Sequence, residues 1–307
     1  MRSFLVISIL VAGAALSTFA QKRPRPVPRL QTTASLTIKT EPNTLIWLDD
    51  IRRGATDAGG KLVLNKISSG RHIVRARASG FKETSIPWAS GRANQLSLRL
   101  IRTTDQAELT FQEAEEAREK AKDEDSRGQA AELYRRALKL RAGFPAAQVG
   151  LARVLLDLSK NENALAAIEA ARLSRPIYPE ASAVEGRIYR EMAFADEAIK
   201  SFQRAIREGH GFQPEAHVGL ARVYEDRGLY EAAATEFETA IKQLSDSEPV
   251  IYQLLGATYE KLEKYKEAVG AYEKYLQLAP NGNLAPAVRS IIDQLRREAA
   301  GQQLNPE

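Results

Sequence analysis

The hexapeptide VGLARV stands at Val149–Val154 and returns, letter for letter, at Val218–Val223, 69 residues later. A catalytic motif is normally written once per domain. An apolar segment written twice at a fixed offset marks an array of similar structural units, each too small to bury its own apolar face and each stacked on the next.

Composition narrows the chemistry. The chain of 307 residues has no cysteine and three histidines, His72, His210 and His217. Disulfides, thiolate nucleophiles and Cys-ligated zinc are thereby excluded. The first twenty residues differ from the rest: Arg2 precedes an apolar run from Phe4 to Leu16, and Thr18-Phe19-Ala20 ends it with small residues at both cleavage-determining positions. This pattern predicts a signal peptide over residues 1–20, cleaved after Ala20, and hence an exported chain, periplasmic or extracellular. No later apolar run approaches the ~20 residues of a membrane span, so the mature protein is not expected to be an integral membrane protein.

Charge is divided. Residues 1–102 hold 17 Lys and Arg against 5 Asp and Glu, and the remainder of the chain holds 27 against 34. A basic front can meet a polyanion. In an exported protein an acidic envelope polymer, lipid headgroups or the chain's own acidic half fit better than nucleic acid, which is not expected as a partner. Residues 21–32 begin QKRPRPVPR, where proline fixes the backbone in an extended form and predicts a spacer.

Residues 33–102 follow a period of two, as in SLTIK and QLSLRL, with turn-forming pairs such as Pro42-Asn43 and Gly59-Gly60 between the runs. Six or seven short strands at this spacing predict a small antiparallel β-sandwich. In RHIVRARA, alternation sets His72, Val74, Ala76 and Ala78 on one face and Arg71, Ile73, Arg75 and Arg77 on the other. Arg71, Arg75 and Arg77 are the candidate polyanion-binding residues. EPNTLIWLDD followed by ISSGRHIVRARASGF resembles the PEGA domain at Pro42, Ile46, Leu48, Asp49, Gly70, His72, Val74, Gly80 and Phe81. That resemblance implies a bacterial envelope or surface protein and brings no catalytic residue with it.

From residue 105 the period turns helical. Alignment on the hexapeptide gives units that open at Pro145, Pro179, Pro214 and Pro249, spaced 34, 35 and 35 residues. Small residues recur at the eighth position (Ala152, Gly186, Ala221, Gly256) and the twentieth (Ala164, Ala198, Ala233, Ala268). Large ones recur at the eleventh (Leu155, Tyr189, Tyr224, Tyr259) and the twenty-fourth (Ile168, Phe202, Phe237, Tyr272). This is similar to the tetratricopeptide repeat. The sequence departs from its pattern at Glu185, where Leu is usual, and at Tyr275, where Ala is usual. The expected organisation is a degenerate unit over 105–144, units at 145–178, 179–213, 214–248 and 249–282, a capping helix at 284–299 and a tail at 300–307. The fold class is therefore multidomain: an all-β sandwich followed by an all-α superhelical solenoid, as two separately folding parts with a break near 102–106 and Thr104 or Asp105 as the first helix cap.

Little points to catalysis. His72 falls on the apolar face of its strand, as a core histidine would. His210 lies in the loop EGHGF, and His217 fills a packing position. Their spacing fits no zinc motif, and the Gly-rich phosphate loops and nucleophile elbows are absent. Asp49-Asp50 could be read as a carboxylate pair, but adjacent strand residues point apart, so a turn is expected there. No enzyme activity, metal or cofactor is expected.

The remaining candidate is a surface. The resemblance implies that the first helix of each unit lines a concave groove that takes an extended peptide or a partner helix. The ninth position of each unit would face it: Arg153, Arg187, Arg222 and then Ala257. Three arginines in register could bind a partner's carboxylates. Each also has an acid four residues on (Asp157, Glu191 and Asp226), so i,i+4 pairing could instead neutralise the row. The Asn and Lys set of the carboxylate-clamp variety is missing, which disfavours a chaperone-tail receptor. The expectation is an exported, non-catalytic adaptor that binds another protein or peptide. The alternative is an acidic-glycan-binding protein acting through the basic sandwich.

Overall fold

Left-handed backbone at one position per unit is what folds each helical pair. Ser159, Ala193, Gly228 and Glu263 all have φ between 57° and 73° and recur at the spacing of the units. Each reverses the chain after a first helix. The next amide then donates back to the carbonyl of the eleventh-position residue: Lys160 to Leu155, Phe194 to Tyr189 and Leu229 to Tyr224 at 2.8 Å, and Lys264 to Tyr259 at 3.0 Å. These bonds satisfy carbonyls that a helix end leaves open.

A computed structural model describes residues 34–49, 51–67, 70–91, 93–244 and 248–304. The expected signal peptide and its cleavage after Ala20, the spacer at 21–32, Asp50 of the proposed carboxylate pair, and turn residues Ser68 and Ser69 lie outside the described residues. Among the described residues, seven strands come first: β1 (Ala34–Lys39), β2 (Leu45–Leu48), β3 (Ile51–Ala55), β4 (Lys61–Ile67), β5 (Arg71–Arg77), β6 (Thr84–Ala89) and β7 (Gln95–Ser97). They form two sheets, β4-β1-β7 and β3-β2-β5-β6. The expected alternation holds on β5, where His72, Val74 and Ala76 are buried, and Leu36, Ile38, Ile46, Leu48 and Leu98 complete one core. One pairing differs from the expected antiparallel pattern: β7 runs parallel to β1. Strand β7 enters after the chain crosses over from the other sheet, so no hairpin fixes its direction.

Eleven described helices follow. They are α1 (Gln106–Lys120), α2 (Glu124–Leu140), α3 (Pro145–Asp157), α4 (Asn161–Ser174), α5 (Pro179–Glu191), α6 (Ala195–Glu208), α7 (Pro214–Asp226), α8 (Tyr230–Leu244), α9 (Pro249–Lys261), α10 (Tyr265–Leu278) and α11 (Ala285–Leu304). Asp105 caps α1 by accepting from Ala107 and Glu108. Proline opens α3, α5, α7 and α9, where its missing N–H leaves no intrahelical bond unmade. Helix α11 runs past residue 299, and buries Ala285, Val288, Ile292 and Leu295 against Tyr272 and Tyr275 of α10. Tyr275, the large residue where alanine is usual, thus packs the last unit against its cap. Glu185, the other departure, lies between Arg172 of α4 and Arg204 of α6.

The glycine of the repeated hexapeptide is a packing requirement. A Cβ on Gly150 would lie 2.3 Å from the Tyr134 ring, and one on Gly219 would lie 2.3 Å from the Phe202 ring. In both cases the ring comes from the second helix of the preceding unit. Gly219→Ala is therefore expected to cost about 1–3 kcal/mol through overpacking. Gly270→Ala should go the other way, because nothing lies within 4 Å of the added carbon and helix propensity improves by up to about 1 kcal/mol. Thermal melts of the two variants check the contrast.

Sandwich and solenoid belong to one compact unit. Gly80 N donates to Gln112 Oε1 at 2.9 Å, and Gln112 Nε2 donates to the Phe81 carbonyl at 2.8 Å. Arg52 and Arg77 reach Glu119 and Glu115 of α1, at 2.6 and 3.1 Å. Ile51, at the tip of the β2–β3 hairpin, packs against the apolar cluster of α7, α8 and α9. The hairpin thus crosses from the first helix of the solenoid to its later units.

Candidate concave binding surface

First helices of neighbouring units touch one another, α3 with α5 and α5 with α7, which sets them on the inside of the solenoid's curve. The inner surface and the facing side of the sandwich border a half-open cavity of about 700 Å3. Arg153, Arg187 and Arg222 all line it, as do Arg75 and Arg77 from β5 and Trp47 from β2.

The three ladder arginines do not share one environment. Arg153 Nη2 lies 3.1 Å from Glu180 and 3.3 Å from Glu215, and its side chain is 20% exposed. These carboxylates come from the starts of α5 and α7, the next two first helices, so Arg153 ties three units together. Burial works against its charge, but Glu215 and Glu180 more than offset that and raise its pKa. Arg187 approaches Glu215 only to 3.8 Å, and Arg222 meets Glu225, three residues on, at 3.2 Å. Their side chains are 41% and 42% exposed.

Of the two readings left open by sequence spacing, the i,i+4 pairing does not form as drawn. Arg153 turns toward neighbouring helices and not to Asp157, because stacking brings their first turns closer than the next turn of its own helix. Arg222 uses an i,i+3 partner, and Asp226 instead holds Arg190 at 2.7 Å. Glu180 and Glu215 were not singled out in the sequence. A signal was present, since Pro-Glu-Ala opens both of their units, at Pro179–Ala181 and Pro214–Ala216.

The basic strip of β5 is also divided. Arg71 is exposed at the strand's start. Arg75 and Arg77 are 11% and 7% exposed, and both stack on the Trp47 ring, at 4.6 and 4.9 Å. Arg77 also covers the Phe111 ring of α1 at 4.6 Å and pairs with Glu83 and Glu115. Burial pushes the Glu115 carboxyl up, while Arg77 and Arg118 pull it down by more, leaving it below its ordinary value. An outward basic face was expected over these residues. Arg77 instead fastens the sandwich to the solenoid, because α1 presents Glu115 and the Phe111 ring opposite it, and Arg75 lies against Trp47 and Glu83 within the sandwich.

Two of the three histidines occupy packing positions, and His210 is exposed in its loop. His72 is 7% exposed, with Nδ1 2.6 Å from Asp49 Oδ2 and its ring beside Trp88. His217 is paired with Glu236 at 2.5 Å. Asp49 has φ of 52° and also accepts from the Ile73 amide, so it belongs to a turn as expected. Among the described residues no cluster of His, Asp and Glu could hold a metal, and no helix is long and apolar enough to cross a membrane.

Comparison with known proteins gives a consistent result. No curated protein matches the chain. Solved structures share the fold at low identity. A thermophilic tetratricopeptide repeat protein from Thermus thermophilus is 22% identical, with a TM-score of 0.52, over 62% of this chain and 98% of that one. PilF of Pseudomonas aeruginosa is 17% identical with a TM-score of 0.52, over 65% and 92%. A tetratricopeptide repeat protein from Parabacteroides merdae is 18% identical with a TM-score of 0.50, over 64% and 74%. Sequence models described as tetratricopeptide repeat match residues 115–182, 184–249 and 249–281, together more than half of the chain. The chain belongs to the tetratricopeptide repeat family.

Proposed function

We propose that this protein is an exported, non-catalytic scaffold that holds another protein on the concave surface of its solenoid. One observation carries the reading. Arg187 and Arg222 stay two-fifths exposed on the inner wall beside the half-exposed apolar side chain of Val250. Charged and apolar groups offered together on a rigid concave wall suit recognition of a peptide segment. The signal sequence and the PEGA resemblance support placement in the bacterial envelope. The acidic-glycan alternative has less support, since of Arg71, Arg75 and Arg77 only the first remains open.

Affinity co-purification from a native envelope extract tests this reading, comparing the full chain with an Arg187→Glu, Arg222→Glu variant. A protein that co-purifies with the former and is lost with the latter is the expected result. Recovery of acidic polymer instead, sensitive to Arg71→Glu and indifferent to the groove variant, would favour the alternative.

A further inference from the structure

We infer that the binding site is the half-open chamber between sandwich and solenoid, with the sandwich as one of its walls, and that its occupant is a short extended acidic peptide segment carrying an apolar side chain. This inference rests on the scaffold reading and adds the occupant's chemistry.

Position decides the first part. The chamber offers about 700 Å3, within the ~300–1,000 Å3 of a drug-sized site. The β2–β3 hairpin reaches across the groove, with Ile51 against α7, α8 and α9 and Arg52 on Glu119 of α1. An occupant therefore meets the sandwich as well as the solenoid, and a few residues of extended chain suit a site of this size.

Charge decides the second part. The chamber's lining includes eight arginines and five glutamates, and Glu83, Asp226 and Glu225 just outside it pair with Arg77, Arg190 and Arg222, so what matters is how loosely each arginine is held. Arg77 and Arg153 are already committed, each to two carboxylates at 2.7–3.3 Å. Among the described residues Arg187 has only the distant Glu215, which Arg153 already engages, and Arg222 has an i,i+3 acid on its own helix. These two guanidinium groups are the ones placed to receive a visitor's carboxylates. Beside them Val218, Val250, Leu254 and Ile51 form an apolar end of the same chamber. An acidic residue next to an apolar one matches this lining, and a basic peptide does not.

Fluorescence anisotropy with labelled octapeptides of alternating Glu and Leu, Lys and Leu, or Glu and Ser tests the inference on the full chain. The Glu–Leu peptide should bind, more weakly as salt rises, and the other two should bind much less. Arg187→Glu with Arg222→Glu should weaken it by about tenfold or more, while Arg187→Lys with Arg222→Lys keeps a larger share of the affinity. A thermal melt of each variant reports folding. Because the chain has no cysteine, Arg52→Cys with Glu119→Cys supplies one selective pair for a short bis-maleimide, which pins the sandwich in place. Binding should survive that crosslink. Binding abolished by the crosslink would show the sandwich to be a plug and overturn the inference. Equal binding of the Lys–Leu peptide, or affinity indifferent to salt, would overturn the charge rule. If a native protein is still captured through the groove while no octapeptide binds, the chamber inference fails and the scaffold reading stands.

Discussion

Arg153→Ala should lower the stability of the folded chain by about 1–3 kcal/mol, between what an exposed and a buried ion pair contribute. The intermediate value applies because Arg153 is 20% exposed and Glu215 keeps 39% of its side chain exposed. Removing the guanidinium leaves Glu180 and Glu215 without their shared cation between three stacked units. Arg187→Ala and Arg222→Ala should each cost no more than about 0.5 kcal/mol, as exposed pairs do. The three arginines look alike in the sequence, and a thermal melt should separate them cleanly.

The effect carries a pH signature. Burial pushes the Glu215 carboxyl up, and Arg153 and Arg187 pull it down by more, so its folded pKa lies below the ordinary value. A depressed carboxylate contributes stability that is fully present above the unfolded pKa, about 4.3, and lost as pH falls through the folded one. The native protein should therefore begin to lose this contribution only below about pH 4.3. In Arg153→Ala burial acts with less opposition and the Glu215 pKa rises. Acidification then relieves the partly buried charge, and the gap between variant and native melts should narrow. A gap constant from neutral pH to pH 4 would contradict the assignment.

Phe202→Ala is expected to cost about 3–5 kcal/mol, the range for emptying a fully buried aromatic site. The ring is 0% exposed. It lies against Gly186 in its own unit and Gly219 in the next, each so close that an added Cβ would clash. Its loss therefore weakens the second hairpin and its junction with the third together. In a stacked array, stability is roughly a sum of units and their interfaces, so the variant's melt should broaden or split as well as shift. Leu173→Ala, at a side chain 83% exposed, is the control and should change little. Comparable shifts for both variants would remove the argument that this ring links the units.

The solenoid was legible because its signals are local and repeated. Alanine and glycine at fixed places, large residues three and four positions on, and proline at each start each state one structural demand, written four times. The sandwich was legible as alternation, and His72 went where alternation sent it. What stayed hidden depends on contacts between distant segments. Nothing in RHIVRARA says that Arg77 will lie between Trp47 and Phe111, because Phe111 is supplied by another element. Arg153 was found, but its partners stand 27 and 62 residues away, whereas a rule of helical spacing looks only four residues ahead. The parallel β1–β7 pairing was missed for a related reason, since turn signals describe hairpins and not crossovers.

Hydrogen–deuterium exchange on the full chain, with and without a captured protein partner, tests the central claim most directly. If the partner sits in the chamber, protection should rise along α5, α7 and α9 and at β2–β3, while the outer helices α4, α6 and α8 stay unchanged. Protection confined to the outer helices, or gained on α5 and α7 while β2–β3 loses it, would contradict the account.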